Sequence, residues 1–441
     1  MTWNQLLSPQ RNGQKKLTAE QSRSAFEQDY DRIIFSHPFR RLQDKTQVHP
    51  LPEHDFVHTR LTHSLEVSSV GRSLGKRVGE VILQRHTKLA RQYSLFDFGA
   101  IVASASLAHD LGNPPFGHAG EDAISDFFIH HPHGQSFDDL VSEHEWNDLI
   151  KFEGNAQGFR ILNNNQYGLR LTYATLGAFT KYPCPALFPS RDKSKKSQKK
   201  FGFFQSEKQA FAEMAEEVGL IPNGGEAWCR HPLAFLVEAA DDICYSIIDL
   251  EDGCRLGLVT FDETVDLLSG ILQDSLQRDK LNNTASLNEK LGVLRSLTIG
   301  KLIDACTEIF LEHEEEILNG KFDQALTDLC QYRDALKAIG SISVHKIYRA
   351  RHVVEIEASG HEVLPGLMEE FVKTGTHLIQ KNTSRKYDNL SLLMPPEIVA
   401  GIQQWQSENT YMMLRHVIDF ISGLTDRHAL ALYRKIKGIG N

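Results

Sequence analysis

The chain has 441 residues, 41% hydrophobic and 24% charged, with a formal net charge of −9. That balance fits a soluble globular protein of one large domain or two to three ordinary ones, and excludes a fibre or a wholly disordered chain. The acidic balance argues against generic polyanion binding, so an anionic substrate would need local basic groups or a metal. Six scattered cysteines without a CxxC pair exclude a disulfide scaffold or a zinc ribbon and fit a reduced, cytoplasmic protein.

The N-terminal stretch "MTWNQLLSPQRNGQKK" lacks the apolar core of a signal peptide, and residues 1–25 read as an N-terminal arm. In Arg60–Leu83, Val67, Val70, Leu74, Val78 and Val81 recur at spacings of three and four, which predicts one apolar helix face. His63 lies on that face, where a lone histidine is more often a packed core residue than a ligand. "FGAIVASASLA" (Phe98–Ala108) is apolar all round, as expected of a helix buried in a bundle, and is too short to span a bilayer. No membrane partner is therefore expected. Gly112, Pro114 and Pro115 stop this helix just after His109 and Asp110. A helix C-terminus favours a cation, and imidazole beside carboxylate suits a borderline divalent metal, magnesium less sharply. His118 and Glu121 follow at once. "HHPH" (His130–His133) reads as a surface turn.

Further along, Lys181–Lys200 is a Pro-containing loop whose end, "RDKSKKSQKK", reads as a solvated, mobile segment. Contact with phosphate or single-stranded nucleic acid is the alternative, and the aromatics of "KFGFF" (Lys200–Phe204) read as docking the loop on the body. His231–Gly253 predicts a long helix with Pro232 in its first turn. Asp241, Tyr245 and Asp249 form one stripe on it, either a solvated face or the wall of a site with Asp241 as an oxygen ligand. Helices are also predicted over Asp262–Leu281, Leu302–Leu318 and Asn409–Lys437, with Leu281–Lys290 as a polar linker. "SISVHKIY" (Ser341–Tyr348) alternates like a short strand, and "YRARH" (Tyr348–His352) offers a phosphate-binding arginine. The fold class is all-α.

Together, His63, His109–Asp110 and Asp241 give two imidazoles and two carboxylates on three helices, in the order H…HD…D. With "HPFRRLQDKTQV" (His37–Val48), "HTRLTHSLEV" (His58–Val67), "AHDLGNPPFGHAGE" (Ala108–Glu121), "FEGNAQGFRIL" (Phe152–Leu162), "EAADDICYSIIDLEDG" (Glu238–Gly253), "VVEIEASGHEVLPGL" (Val353–Leu367) and "ISGLTDRHALALY" (Ile421–Tyr433), the chain resembles the HD-domain deoxyguanosinetriphosphate triphosphohydrolase-like family. The resemblance implies an HD helical core over 26–255, with the basic loop 181–205 inside it, and a C-terminal helical region 256–441 packed on that core. It implies His63, His109, Asp110 and Asp241 as ligands, Asp242 being the adjacent alternative, for Mn²⁺, Mg²⁺ or another transition metal. His118 and Glu121 match the family's catalytic histidine and its acidic partner. Gln47, Tyr245 and Asp249 match residues around the deoxyribose 3′-hydroxyl, Arg60 a sugar- or phosphate-contacting arginine, and Asn113 with Asn155 the border of the site.

The implied activity is hydrolysis of dGTP, or of several dNTPs, to deoxynucleoside and inorganic triphosphate. His118 would act as base on water or as acid on the 5′-oxygen, and Tyr245 would pack where a 2′-hydroxyl clashes. The resemblance also implies a homo-oligomer, often hexameric, with single-stranded DNA or a regulatory nucleotide as further partner classes. Alternatives are another HD-type nucleotide phosphohydrolase or phosphodiesterase, and a nucleotide- or DNA-binding regulator on the same fold. The last expects lost ligands, and every ligand is present. Two positions depart from vertebrate relatives: Asn113 stands where they carry a second histidine, and Asp242 where they carry a phosphate-binding lysine. Lys181, Tyr182 and the basic loop are the substitutes at hand.

Overall fold

The computed structural model describes residues 1–13, 23–48, 58–163, 168–192, 194–275, 281, 286–405 and 409–440. Its main helices are α1 (Ala25–Ile34), α2 (Arg60–Arg85), α3 (Leu95–Ala108), α4 (Gly117–His130), α5 (Gly154–Asn163), α6 (Tyr173–Phe179), α7 (Pro232–Arg255), α8 (Phe261–Leu272), α9 (Leu287–Glu312), α10 (Arg333–Ile342), α11 (Arg351–Gln380), α12 (Thr410–Ser422) and α13 (Asp426–Lys437). Among the described residues the backbone forms isolated bridges, such as Thr46 with Thr59, and no sheet. The fold is all-α, as expected. No helix among these residues is long and apolar enough to cross a membrane.

Local signals set the helix starts. Thr59 caps α2 in a reciprocal pair with Thr62, and Pro232 sits in the first turn of α7, where its missing N–H costs nothing. The α2 and α3 backbones pack closely because α2 presents glycine to its neighbour. A Cβ on Gly75 would lie 2.7 Å from the Phe98 carbonyl oxygen, too near for any side chain. The apolar α3 is then enclosed, with Ile101, Val102, Ala105 and Leu107 all at 0% exposure.

Two hydrophobic cores result. One joins Val67, Leu74 and Val78 of α2 to Phe98 and Ile101 of α3, Leu236, Ile243 and Ile247 of α7, and Leu294 and Leu302 of α9. The N-terminal Trp3, Leu6 and Leu7 belong to it too. The other packs Ile124, Phe127 and Phe128 of α4 against Leu364, Leu367 and Phe371 of α11 and Val417, Ile418 and Ile421 of α12. Buried polar ties cross the seam between them. Lys45, 4% exposed, donates to the carbonyls of Asn113 (2.6 Å) and Ser422 (2.8 Å), and Asp426 accepts from the backbone N–H groups of Thr46 (2.9 Å) and Phe116 (3.1 Å).

Several sequence expectations need correction. Ser341–Tyr348 is not a strand: α10 runs on into a π-helical turn, Ser343–Ile347. Ile339, Ser343 and Ile347 are buried while Ser341 and His345 between them are exposed, which fits a helix; a strand would bury all of these on one face. Of the expected polar linker Leu281–Lys290, residues 282–285 lie outside the described residues, and α9 begins at Leu287 rather than Leu302. Leu291, Leu294, Thr298 and Leu302 form its inner face. The helix expected over Asp262–Leu281 ends at Leu272, with a 3₁₀ turn after it; residues 276–280 lie outside the description, as do 14–22 of the N-terminal arm. Asn409–Lys437 is two helices, because Gly423 ends α12 and the Thr425 side chain caps α13.

The basic loop keeps charged side chains at the surface, as expected, but is tied to the body. Arg191 donates to the carbonyls of Pro185, Ala186, Gln198 and Lys200, Lys196 pairs with Asp328 at 2.7 Å, and Ser197 donates to Asp323 at 2.6 Å. Phe201, Phe203 and Phe204 are buried, so the aromatics dock the loop as expected. Lys193 lies outside the described residues.

Candidate active site

Three helices bring the four candidate ligand groups together. His63 comes from the first turn of α2, His109 and Asp110 from the end of α3, and Asp241 from the middle of α7. The two imidazole rings are 5.2 Å apart, and ligand atoms of His63, His109 and Asp110 all lie within 4.8 Å of one another. Asp241 Oδ1 lies 3.3 Å from His63 Nε2 and 3.4 Å from His109 Nε2.

The donor chemistry fits a bound cation. His109 Nδ1 donates to the Ser106 carbonyl at 2.7 Å, which fixes the tautomer and leaves a lone pair on Nε2. That nitrogen is buried without a hydrogen-bond partner and faces carboxylate oxygens of Asp110 and Asp241, each 3.4 Å away. A lone pair aimed at two anions is unfavourable until a positive ion lies between them. Asp242 points elsewhere, accepting from the Thr327 hydroxyl at 2.7 Å, and burial with help from Glu238 pushes its carboxyl up to about 7. Of the two adjacent carboxylates, only Asp241 joins the cluster.

Side-chain cations hold the same carboxylates. Arg60 donates to Asp110 Oδ2 at 2.7 Å, Asn113 to Asp110 Oδ1 at 2.6 Å, and Lys181 to Asp241 Oδ2 at 2.5 Å. Burial alone would raise both carboxyls, but the surrounding positive groups hold them well below the ordinary range.

A tight turn carries the chain from this cluster to a second one. Phe116 and Gly117 both take left-handed backbone, at φ 65° and 59°. For Phe116 that costs about 1–2 kcal/mol, and its N–H is held by Asp426. The turn starts α4 with His118 in its first turn, and His118 Nδ1 lies 3.1 Å from Glu121 Oε2. The bond to Glu121 raises His118 above the ordinary imidazole range. Glu121 Oε1 accepts from the Gly154 N–H at 2.7 Å, and a Cβ on Gly154 would collide with Asn113 Oδ1. A larger residue where "FEGNAQ" meets the site would push aside the Asn113 and Glu121 side chains. Lys200 lies 3.7 Å from Glu121 Oε2 and 3.1 Å from Glu153 Oε1, and Asn155 turns its amide onto Glu153 at 2.7 Å.

Both clusters face one cavity of about 350 Å³. Gln47, Arg60, Asp110, Asn113, His118, Asp241 and Tyr245 line it. The Tyr245 side of the stripe is a site wall, with its ring 42% exposed, and Gln47 presents a buried Oε1 without a partner. Asp249 is placed differently from the rest. It is 4% exposed and accepts from the Tyr348 hydroxyl at 2.7 Å, while Tyr348, whose ring is 5.3 Å from that of Tyr245, lines the cavity. Burial pushes the Asp249 carboxyl up to about 7.

Tyr348 on the cavity wall and Glu153 beside Glu121 are residues to which sequence reasoning gives no role, and Lys200 is read there only as part of the basic loop. "YRARH" was in the right place, but its tyrosine reaches the cavity, whereas Arg351 pairs with Glu355 on the surface. Val353, Ile356 and Glu357 of α11 complete the rim. Among the described residues no metal-ligand group arises at "HHPH": His131 stacks on Phe127 and caps the following turn.

Comparison with known proteins agrees with this arrangement. The family model of the HD domain matches residues 60–152, and that of a phosphohydrolase-associated domain matches residues 330–435. A deoxyguanosinetriphosphate triphosphohydrolase-like protein of Synechocystis sp. is 44% identical, the alignment covering 100% of each chain. Proteins with the same description from Pseudomonas aeruginosa and Listeria innocua are 39% identical over 99% of each chain and 34% identical over 100%. With His63, His109 and Asp110 drawn together and Asp241 beside the two imidazoles, and with this identity over its full length, the chain belongs to the deoxyguanosinetriphosphate triphosphohydrolase-like family of HD-domain phosphohydrolases.

Proposed function

We propose that the protein hydrolyses deoxynucleoside triphosphates, dGTP or several dNTPs, at the α-phosphorus, releasing deoxynucleoside and inorganic triphosphate. A divalent cation held by His63, His109, Asp110 and Asp241 would be its cofactor. The observation that carries the proposal is the orphaned His109 Nε2, facing two carboxylates beside the cavity that presents Gln47, Tyr245 and His118. The description shared by the full-length relatives supports the substrate class.

A bound divalent cation supplies Lewis-acid polarisation of phosphoryl oxygens and a bound water of lowered pKa. Arg60 and Lys181 bring two further positive charges to the polyphosphate. His118 keeps Nδ1 on Glu121, so Nε2 is the ring nitrogen left to exchange a proton. In the reaction a water oxygen bonds to the α-phosphorus, the bond to the 5′-oxygen breaks, and the 5′-oxygen leaves protonated. Gln47 Oε1 accepts from a sugar hydroxyl, and the Tyr245 ring occupies the wall where a 2′-hydroxyl would clash. Asp249 acts from behind Tyr348, holding its hydroxyl.

The test is a panel of dNTPs, NTPs and dNMPs with Mn²⁺ or Mg²⁺, with triphosphate, pyrophosphate and phosphate resolved. Triphosphate from dNTPs alone is expected. Turnover of dNMPs, or equal turnover of ribonucleotides, would overturn the reading.

A further inference from the structure

Glu153 and Lys200 have no part in the chemistry above, yet they adjoin the proton-transfer pair. Glu153 stands just before α5 and is 6% exposed, as buried as Glu121 at 7%. Glu121 Oε1 is committed to the Gly154 N–H, so Oε2 is the oxygen open to a cation. Two cations contend for it: His118 Nδ1 at 3.1 Å and Lys200 Nζ at 3.7 Å. Glu153 Oε1 lies nearer to that ammonium, at 3.1 Å, and is itself fixed by the Asn155 amide at 2.7 Å and backbone N–H at 3.3 Å.

We propose that Glu153 and Lys200 are positioning residues that set the proton affinity of His118: Glu153 draws the Lys200 ammonium aside and leaves Glu121 Oε2 to the imidazole. Two buried carboxylates beside one lysine would otherwise hold that lysine between them, with His118 losing its anchor. The other charged groups around His118 are Arg60 from α2, Asp110 and Asp241 across the cavity, and Glu357 from α11; Tyr182 adjoins Lys200. The directions agree, since Glu121 raises His118 while Lys200 and Arg60 lower it. Glu153 is itself raised by burial and by Glu121, as a carboxylate sharing one cation should be.

The inference rests on the proposed reaction only for its significance, because the test reads His118 directly. Full-length protein with Mg²⁺ and ¹³C-labelled histidine is titrated by NMR, the His118 signal being assigned by its loss in His118→Gln. Lys200→Met is expected to raise the His118 pKa and Glu153→Gln to lower it, each by roughly half to one unit. The double variant should stay near the raised value of Lys200→Met, because Glu153 acts through the lysine; a return to the parent value, as two independent charges would give, would overturn the proposal. Shifts of the same sign, or none, would overturn the proposal. Lys200, about one-third exposed, tolerates replacement, so its upward shift decides the matter even if Glu153→Gln fails to fold. In the active enzyme the pH limb governed by His118 moves with the NMR value. Opposite shifts without triphosphate release would retain this device and overturn the proposed reaction; triphosphate release without shifts would do the reverse.

Discussion

The substitution Asp426→Asn removes one charge and keeps the shape, far from the metal-ligating cluster in sequence. Asp426, 3% exposed at the start of α13, accepts the Thr46 N–H on one oxygen and the Phe116 N–H on the other. An asparagine can accept only one of them and turns an amide donor toward the second. Losing one charge-assisted bond and stranding a buried N–H costs about 2–4 kcal/mol, roughly 2–4 °C in Tm for a chain of this size. The effect on turnover is larger, because the strained Phe116 backbone, held at φ 65°, relaxes and carries His118 with it. A displacement near 1 Å costs on the order of 100-fold in kcat/KM. The proposed metal ligands come from α2, α7 and the end of α3, so Mn²⁺ affinity should remain. Differential scanning fluorimetry, calorimetric Mn²⁺ titration and triphosphate release measure the three effects. A variant that turns over like the parent, or that loses Mn²⁺ together with activity, refutes the reasoning.

Other outcomes separate the roles within the site. Asp110→Ala should lose both bound metal and activity, whereas His118→Ala should keep metal, measured by calorimetry, and lose about 10²–10⁴-fold in kcat. Tyr245→Ala opens the sugar wall, so the dGTP-to-GTP ratio of kcat/KM should fall; an unchanged ratio removes Tyr245 from discrimination. Asp249 carries a pH signature. Its folded carboxyl lies at about 7 against about 4 unfolded, so the stability it contributes is full below pH 4 and is lost as the pH rises through 7. In chelated protein, Asp249→Asn should gain about 2–3 kcal/mol on the parent between pH 5 and 8, read from denaturant midpoints; a constant difference would contradict the buried, protonated assignment.

The sequence made some of this legible and hid the rest for physical reasons. His109 and Asp110 stand out because apolar helices rarely end in two adjacent ionisable groups, while Asp241 is preferred to Asp242 only through the family resemblance, which its spacing to Tyr245 and Asp249 matches. The Asp241–Tyr245–Asp249 spacing correctly puts these three on one helix stripe. It does not show that Tyr348, arriving on a π-helical turn that reads as a strand, covers Asp249 and takes its place on the cavity wall. Nor can local composition show that a lysine-rich run is seated by Arg191 and Ser197, or that its last lysine reaches Glu121 and Glu153. Those contacts depend on where α4, α5 and the loop meet, which is a property of tertiary packing. The tie from Asp426 to the turn before His118 is of the same kind: a residue of the phosphohydrolase-associated region supports the HD region from 310 positions away in the chain.

The most direct test of the central claim is hydrolysis of dGTP in ¹⁸O-water with Mn²⁺, quenched, freed of metal and read by ³¹P NMR. The account predicts inorganic triphosphate as the sole phosphorus product, with one ¹⁸O on a terminal phosphorus and none in the deoxyguanosine. Pyrophosphate with dGMP, orthophosphate with dGDP, or label in the nucleoside would contradict it.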